Sequence, residues 1–539
     1  MCNRPAWLAG KVRMSSAHEV MFYTDGRHTS VYLYEPPMGV KQYVEPIDEL
    51  LDLGIDTISY AVGDCSVLLY DSKVGEHWGH NVDLTDHDIW WRAAQNAKRM
   101  IAGGIDPLML LCEHAQRRGF RFLPHLLLNM LHTPYDRVTN CRVANFTTQH
   151  PEWRVGEEPD DPAAQGDNPD RLSFAVAEVR ADRLAVIAEL VGDYPTDGIE
   201  LNMSDYAPFI GRAEVAKHTE TLTEWMRAIR RVCDEAADAQ GRAKRLVIRI
   251  GATLAGNKAM GMDVETWIKE GIVDAVIGMQ VVGGFENDTA GLQAIVEAAA
   301  DTPVRILAGI ESANHPELSR SVVRAAAANV YAVGAQGVLF HTYYPEPKRY
   351  PYDDEATGRL RFMGYPDLLT GFDKTYRLGL PVNANTAPSY GLAEQLPAEL
   401  ACGAGVHECT LEVGDDIAGR AELGELWRCE LRVLLQHLTY TDRVRLYWNG
   451  EEIAADTWRK ADWTYQLRPR PDYAVNAYRL HVDLKQLRHL PRTGVNRLGV
   501  EVLEKDAQLI HSVTLADIAL VVEYLPHRNA LRDEEQYFA

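Results

Sequence analysis

Long apolar runs are missing from this 539-residue sequence. No stretch approaches the roughly 18 consecutive apolar residues that a membrane-spanning helix needs. The start of the chain, MCNRPAWLAGKVRMSSAHEV, also lacks the continuous apolar segment of a secretory signal peptide. We therefore expect a soluble, cytoplasmic protein without a membrane partner.

Cysteine is sparse, and its spacing follows no ligand pattern. The eight cysteines are scattered without a CxxC pair or another zinc-binding spacing, which argues against a disulfide scaffold and a structural metal. The motifs GxGxxG and GxSxG and the P-loop are missing as well. We expect a protein that binds no metal and needs no cofactor.

Positive charge is in short supply. The sequence has 55 Lys and Arg residues against 77 Asp and Glu residues, a formal net charge of −22. Such a surface repels the phosphates of nucleic acids, so we expect no nucleic-acid partner. The charge favours a neutral or cationic small substrate, or a neutral glycan.

Short β-rich apolar runs alternate with segments of helical periodicity from about residue 18 to 345, which is typical of parallel strands joined by helices. Eight such runs favour an α/β fold of the closed (β/α)8 type, a TIM barrel, over an open sheet. The predicted strands are VMFYTD (20–25), DTISYAVG (56–63), FRFLPHLLLN (120–129), GIELNM (198–203), RLVIRIGA (245–252), DAVIGMQ (274–280), VRILAGIES (304–312) and GVLFHTYY (337–344).

A change of composition near PVNANTAPS (381–389) indicates a linker. The runs that follow are short, alternating and separated by turn signals such as Asn449-Gly450, a pattern typical of an all-β sandwich or jelly roll. We predict a catalytic barrel domain over residues 1–380, a linker over 381–390 and an accessory β-sandwich over 391–539.

A stretch rich in Pro, Asp and Gly, roughly 130–180, separates the third and fourth predicted strands. Because it follows a strand, it lies on the face of the barrel where active sites form. It is either a solvated loop or a lid over a site, and the sequence leaves both open.

Two glutamates at strand ends carry the strongest chemical signal. In GIELNM the apolar side chains face the helices, so Glu200 and Asn202 point into the barrel, and the same alternation turns Glu311 inward. Two carboxyl groups across a barrel mouth are what glycosidic cleavage uses, one as acid and the other as nucleophile or base. The alternative is an ion pair with the inward Arg249 of the fifth strand.

Other inward polar residues near strand ends are suited to binding sugar hydroxyls. The predicted substrate-binding residues are Asp25, Tyr60, His125, Asn129, Asn202, Arg249, Gln280, His341 and Tyr343. His341 is equally compatible with a core histidine that has a backbone partner. The segment HWGHNVDLTDHDIWW (77–91) matches no metal-ligand template, so we interpret it as a substrate-contacting loop.

Three motifs resemble those of glycosyl-hydrolase-like family ten: QHPEWRV (149–155), TDGIELN (196–202) and MDVETWIKEGIVDAVI (262–277). The resemblance covers roughly residues 15–375 and implies a TIM barrel more firmly than a substrate. The runs RLYWNGEEI and TGVNRLGVEVL are similar to the galactose-binding-like sandwiches of many glycosidases, which often support the barrel or an oligomer.

More distantly, a glutamate on the fourth strand and another on the seventh resemble the large clan of retaining glycosidases, which implies Glu200 as acid/base and Glu311 as nucleophile. The clan usually has Asn directly before the acid, where this sequence has Ile199. Family ten often reads Glu-Leu-Asp where this sequence ends in Asn202, so an expected carboxylate is missing. This departure leaves an altered mechanism open.

Three hypotheses follow, all with a carbohydrate ligand. The first is hydrolysis of a small glycoside or oligosaccharide by two carboxylates, with retention if they lie about 5–5.5 Å apart. The second is a glycan-binding barrel that lost catalysis with Asn202. The third is a carbohydrate lyase or isomerase with His341, Tyr343 or His125 as base. Barrels with sandwich tails commonly form homo-oligomers, and the sequence leaves the oligomeric state open.

Overall fold

The structure, a computed structural model, describes most of the chain. It covers residues 18–64, 67–81, 83–85, 87–129, 140–157, 170–204, 208–279, 289–311, 319–341, 354–378, 395–463 and 475–528. Within these ranges, no helix is both long enough and apolar enough to cross a bilayer.

Eight parallel strands close into a barrel, which confirms the predicted (β/α)8 fold. Each strand pairs with the next one along the chain, and the eighth pairs with the first, where Gly337 lies opposite Glu19. In chain order the barrel strands are Glu19–Thr24, Thr57–Ala61, Arg121–Leu127, Gly198–Asn202, Arg245–Ile250, Ala275–Met279, Arg305–Glu311 and Gly337–His341.

Helices pack their apolar faces against the outside of the barrel. In Val215–Gln240 the buried side chains include Leu222, Met226 and Ile229, as the predicted 3.6-residue periodicity requires. The helices of this domain are Val40–Asp48, Asp88–Ala102, Pro107–Arg117, Asn145–Gln149, Ala177–Gly192, Val215–Gln240, Leu254–Ala259, Val264–Lys269, Ala290–Ala298, Arg320–Ala332, Asp354–Leu360 and Pro366–Leu369. The connections add a π-helix, 3-10 turns and short strands at Arg27–Val31, Pro151–Trp153, Arg212–Glu214, Gly63–Asp64, Val67–Leu68 and Glu76–His77.

The long connection predicted at roughly 130–180 is partly described. Its first described part contains the helix Asn145–Gln149, and a β-bridge joins Arg154 to Leu172. The connection therefore folds back on itself beside the barrel. Its remaining residues, 130–139 and 158–169, lie outside the described part of the chain.

Inward side chains fill the barrel in layers of four, and each layer is drawn from alternate strands. The strand register sets an apolar layer in the middle of the barrel, formed by Met21, Leu123, Val247 and Leu307. Above it, Gly309 leaves room for a neighbouring side chain, because a Cβ there would lie 2.0 Å from Sδ of Met279. The apolar layer separates two polar ends of the barrel.

An ionic layer closes the N-terminal end. The buried carboxylate of Glu19 contacts Arg121 at 3.2 Å, Arg245 at 2.7 Å and Arg305 at 3.0 Å. Burial raises the pKa of Glu19, but the hydrogen bond from Arg245 and the charges of the three arginines outweigh it and lower that pKa. One carboxylate thus joins the first, third, fifth and seventh strands.

Two antiparallel sheets form the second domain, as the turn-punctuated runs predict. One sheet contains Lys374–Leu378, Ala398–Leu400, Leu426–Gln436, Trp458–Asp462, Ala477–Asp483 and Val513–Tyr524. The other contains His407–Val413, Arg443–Trp448, Glu451–Ile453 and Gly494–Glu504, and the short helices are Ile417–Glu422 and Leu484–Leu487. Asn449 and Gly450 both have positive φ, 51° and 86°, and form the predicted two-residue hairpin turn.

The sandwich begins earlier in the chain than predicted. Lys374–Leu378, which the predicted boundary assigns to the barrel domain (1–380), pairs with Val513–Tyr524 in the sandwich. The partner strand comes from the far end of the chain, so the local sequence carries no signal of this pairing. The predicted linker (381–390) lies outside the described residues.

The barrel and the sandwich meet in a close-packed interface. A Cβ on Gly414 would lie 2.5 Å from the backbone of Ala328, so a larger residue would push the domains apart. Beside it, Glu412 accepts hydrogen bonds from the backbone N–H and the hydroxyl of Thr289. The sandwich is therefore fixed against the barrel by direct contacts.

Glu19→Gln should destabilise the barrel, because it leaves three guanidinium groups around an uncharged amide. We expect a loss of roughly 2–4 kcal/mol in the free energy of unfolding at pH 7, since the arginines are only partly buried. The folded pKa of Glu19 is lowered, so its stabilisation is present above the unfolded pKa of about 4.3 and is lost as pH falls. Urea unfolding at pH 7 and at pH 3 measures both effects.

Glu113→Gln is the matched control, because Glu113 pairs with Arg117 on an exposed helix face. Its effect should stay below about 0.5 kcal/mol. A Glu19→Gln protein as stable as the wild type, or one with the same deficit at both pH values, would contradict the assigned role of Glu19.

Candidate functional site

Above the apolar layer, polar inward side chains appear, although Ala61, Ile277, Met279 and Leu339 keep apolar positions in these layers. Three successive layers toward the C-terminal ends of the strands contain Ser59 and Glu200, then Tyr23, His125 and Arg249, then Asn202 and His341. All of these side chains are buried. Active sites of (β/α)8 barrels form at this end, so these polar layers are the candidate active site.

Glu200 and Arg249 form an ion pair without exposed surface. Nε and Nη2 of Arg249 donate to Oε1 of Glu200 at 2.7 and 2.5 Å. The register brings the two side chains together, because Arg249 lies opposite Asn202, two residues beyond Glu200. This is the ion pair that the sequence offers as the alternative to catalysis by Glu200.

Ser59 and His125 complete the surroundings of Glu200. The Ser59 hydroxyl donates to Oε2 of Glu200, and Nδ1 of His125 lies 3.3 Å from Oε1. Because Oδ1 of Asn202 accepts from the Ser204 backbone N–H, its Nδ2 faces Nε2 of His125 at 3.4 Å. Nε2 of His125 then accepts, and its Nδ1–H points toward Glu200.

These contacts keep Glu200 ionised. Burial raises its pKa, but the charge of Arg249 and the contacts with His125 and Ser59 outweigh burial and hold the pKa of Glu200 well below its usual range. A general acid must carry a proton before it can donate one. This arrangement therefore disagrees with the predicted role of Glu200 as the acid.

Tyr23 lies between the aromatic and cationic members of the polar layers. Its ring centroid is 4.6 Å from that of His125 and 5.0 Å from that of His341, and the Arg249 guanidinium lies over it at 4.9 Å. Nη1 of Arg249 is buried and has no hydrogen-bond partner in the described part of the chain. A buried donor without a partner is costly, so Nη1 of Arg249 marks unused hydrogen-bonding capacity inside the barrel.

Asp25 directly follows the first strand, and both of its carboxylate oxygens accept hydrogen bonds from residues of the next connection. Oδ1 accepts from the backbone N–H groups of Arg27 and His28, both at 3.0 Å, and Oδ2 contacts Nε of Arg27 and Nδ1 of His28. Burial raises the pKa of Asp25, but the charge of Arg27 and the contacts with His28 hold it below its usual range. Asp25 therefore orders the connection rather than presenting an open acceptor.

Tyr60 does not reach the candidate active site, contrary to the prediction. Its ring stacks on Phe122 on the helix-facing side of the barrel, and its hydroxyl donates to the Gly26 carbonyl. Side chains alternate along a strand, so Ser59 and Ala61 are the inward residues of the second strand. The apolar Ile58 carried this signal in the sequence, because it fixes the outward set.

Asn129 is buried just beyond the end of the third strand, and its side chain forms hydrogen bonds with backbone groups. Its Nδ2 donates to the carbonyls of Leu172 and Pro208 at 3.2 and 3.0 Å, and its Oδ1 accepts from the Leu172 N–H at 3.0 Å. With these groups engaged, Asn129 joins two connections to the barrel instead of binding substrate as predicted.

The remaining predicted residues lie wholly or partly outside the described part of the chain. Glu311 ends the seventh strand with its backbone opposite His341, but its side chain lies outside the described part. Gln280 and Tyr343 lie outside it altogether. The register places the backbone of Glu311 in the layer above His341, at the height of Asp25.

The predicted substrate-contacting segment (77–91) lies in the connection after the second strand. Trp78 is buried, with the Arg142 guanidinium 5.6 Å from its ring, and Trp90 stacks on His87 at 3.9 Å. Trp78 thus packs within the protein and offers no open face for a sugar ring. For the other residues of the segment 77–91, contact with substrate stays a prediction.

Comparisons with known proteins add little to this geometry. No family model matches the sequence, and no curated protein matches it. The predicted membership of glycosyl-hydrolase-like family ten therefore stays a prediction.

Several solved structures are similar at low identity. Alpha-L-fucosidase isoenzyme 2 from Paenibacillus thiaminolyticus has 12% identity and a TM-score of 0.40, over 65% of this chain and 49% of that chain. The PgaB (BpsB) glycoside hydrolase domain from Bordetella bronchiseptica has 13% identity and a TM-score of 0.40, over 61% and 94%. The maltogenic alpha-amylase AmyB from Thermotoga neapolitana has 10% identity and a TM-score of 0.36, over 91% and 100%. Likenesses this weak carry no argument about function.

The ion pair predicts strong coupling between Glu200 and Arg249. Glu200→Leu alone leaves a buried guanidinium without its carboxylate and should cost roughly 3–5 kcal/mol of unfolding free energy. The double variant with Arg249→Met should lose much less than the sum of the single variants, with a coupling energy of about 2 kcal/mol or more. Urea unfolding of the wild type, the two single variants and the double variant measures this coupling energy.

The exposed pair Arg443 and Glu504 in the sandwich is the control cycle. Its coupling should stay below about 1 kcal/mol. Additive losses at Glu200 and Arg249 would show that the two side chains do not stabilise each other.

Proposed function

We propose that this chain is a glycoside hydrolase that cleaves a small glycoside or oligosaccharide at the C-terminal mouth of the barrel. The observation that carries the proposal is the cluster of buried polar side chains at that end, which contains His125, Glu200, Asn202, Arg249 and His341. Burying imidazole, guanidinium and amide groups is costly without full hydrogen bonding. Barrels of this type gather such groups where they bind and transform ligands.

In the proposed reaction, a carboxylate oxygen of Glu311, at the end of the seventh strand, bonds to the anomeric carbon as the bond to the glycosidic oxygen breaks. Water supplies the proton for the leaving alcohol and then the hydroxyl group that displaces the Glu311 carboxylate and releases the sugar. Glu200 is a positioning residue, because its carboxylate holds Arg249 and His125 in place. Nη1 of Arg249 donates to a substrate oxygen. The expected pair of catalytic carboxylates is thus replaced by one nucleophile, Glu311, and one buried positioning residue, Glu200.

The substrate class follows from charge and chemistry. A net charge of −22 disfavours anionic polymers and suits a neutral sugar. The polar layers offer both donors and acceptors, which is what sugar hydroxyls need. Hydrolysis through a carboxylate nucleophile uses only water as second substrate, so the proposed reaction involves no cofactor.

A glycan-binding barrel without catalysis is the second candidate function. Asn202 favours it, because an amide stands where the fourth strand reaches the mouth. The ionised state of Glu200 favours it as well. In that case the polar layers bind a sugar and Glu311 is dispensable.

Glu311→Gln should abolish hydrolysis and leave binding of the same glycoside within a few-fold of the wild type, because the nucleophile is lost while the polar layers remain. A panel of aryl glycosides and oligosaccharides identifies the substrate, and calorimetry measures binding to the variant. Proton NMR of the first product should show the anomeric configuration of the substrate, as expected for retention.

Glu297→Gln is the control, since Glu297 lies on the helix Ala290–Ala298 and its carboxylate accepts a hydrogen bond from Gln293 in an exposed pair. It should keep full turnover. Turnover that survives in Glu311→Gln would exclude Glu311 as nucleophile, and an inverted product would exclude the covalent route. Binding without turnover by the wild type would support the glycan-binding function instead.

A further inference from the structure

A small cavity lies outside the barrel, between its first two strands and the helices Val40–Asp48 and Pro107–Arg117. Its apolar wall includes Phe22, Ile47 and Leu111. The centre of a water molecule has about 10 Å³ of space in this cavity. A single buried water needs roughly 10–15 Å³ by this measure. The cavity therefore has the size of one water molecule.

Two hydroxyl groups of the cavity wall have no hydrogen-bond partner among the described residues. They are Oγ of Ser30 and the phenol oxygen of Tyr43, whose residues are only 1% and 2% exposed. Burial raises the pKa of Tyr43, so its hydroxyl stays neutral and can both donate and accept. A buried hydroxyl without a partner is costly, so both groups require one.

The π-helix Arg27–Val31 brings a third hydroxyl, that of Thr29, to the same cavity. The hydroxyls of Thr24 and Thr29 lie 3.2 Å apart, and that of Thr24 also accepts from the Gly26 N–H at 3.2 Å. A hydroxyl has one donor and two acceptor sites. Thr29 therefore has capacity for another hydrogen bond, whichever of the two threonines donates to the other.

We propose that one water molecule binds in this cavity and bridges the hydroxyls of Ser30 and Tyr43, with Thr29 as its third partner. Buried waters typically make about three hydrogen bonds to polar groups that lack another partner. None of the eleven residues that line the cavity is charged, which suits a small neutral ligand. This inference does not depend on the proposed glycoside hydrolase function.

The water joins two segments that are distant in the fold of the chain. Ser30 belongs to the connection that follows the first strand, whereas Tyr43 lies on the helix Val40–Asp48. The same connection supplies the groups that bind the carboxylate of Asp25 at the end of the first strand. A bound water thus fastens this connection to the outer helix layer.

A high-resolution crystal structure of the full chain tests the site directly. We expect electron density for one water, with its oxygen roughly 2.5–3.0 Å from both Oγ of Ser30 and the phenol oxygen of Tyr43. A cavity without such density would overturn the proposal. A direct hydrogen bond between Ser30 and Tyr43 would overturn it as well, because the two hydroxyls would then satisfy each other.

Tyr43→Phe tests whether the hydroxyl has a partner in solution. If a water bridges it, the variant should lower the folding equilibrium constant from urea unfolding about 3–10-fold, because a hydrogen bond is lost. A hydroxyl without a partner predicts the opposite sign, since its removal relieves a cost. The double variant with Ser30→Ala should lose less than the product of the two single effects, because both hydroxyls bind the same water.

Tyr440→Phe is the matched control, because Tyr440 is 84% exposed in the sandwich. It should change the folding constant less than about twofold, and its effect should simply multiply with that of Ser30→Ala. Circular dichroism should show the wild-type spectrum for every variant. A higher folding constant for Tyr43→Phe, or effects of Tyr43→Phe and Ser30→Ala that multiply, would show that no water bridges the two hydroxyls.

Discussion

The constraint on which this structure depends is the parity of side chains in a closed eight-stranded barrel, that is, their strict alternation between the inside and the outside along each strand. Each strand sends alternate residues inward, and the register assigns each of them to one layer. An apolar middle layer, with Met21 and Val247 among its members, divides the interior. Charged groups are therefore confined to the two ends, where Glu19 joins strands at the N-terminal end and Glu200 meets Arg249 at the other.

Parity also explains what the sequence reveals about the fold. The barrel strands were predictable because buried parallel strands are short apolar runs between helices. Strands such as Trp458–Asp462 were missed because edge strands of a sandwich carry few apolar residues. Lys374–Leu378 was placed in the wrong domain because its partner is distant in the chain, and pairing over that distance leaves no local trace.

For the candidate site, the inward positions were predictable from the sequence, whereas the contacts between them were not. Glu200, Asn202 and Arg249 were predictable as inward residues, since apolar neighbours fix the parity of their strands. Their hydrogen-bond partners were not, because partners are set by register between strands. Asp25 shows the limit: its place directly after the first strand follows from the sequence, but its hydrogen bonds with Arg27 and His28 depend on the geometry of the next connection. No periodicity describes that connection, so His28 carried no signal.

The two charged ends use similar chemistry for different purposes. At the N-terminal end the arginines around Glu19 remain partly exposed, so this layer stabilises the barrel at modest desolvation cost. Glu200 and Arg249 are both fully buried, and a well-packed apolar pair is often as stable as such an ion pair. Stability alone therefore gives no reason for a buried ion pair beneath the mouth. Holding the Arg249 guanidinium and the His125 ring in fixed orientations beneath the proposed sugar-binding site does give one.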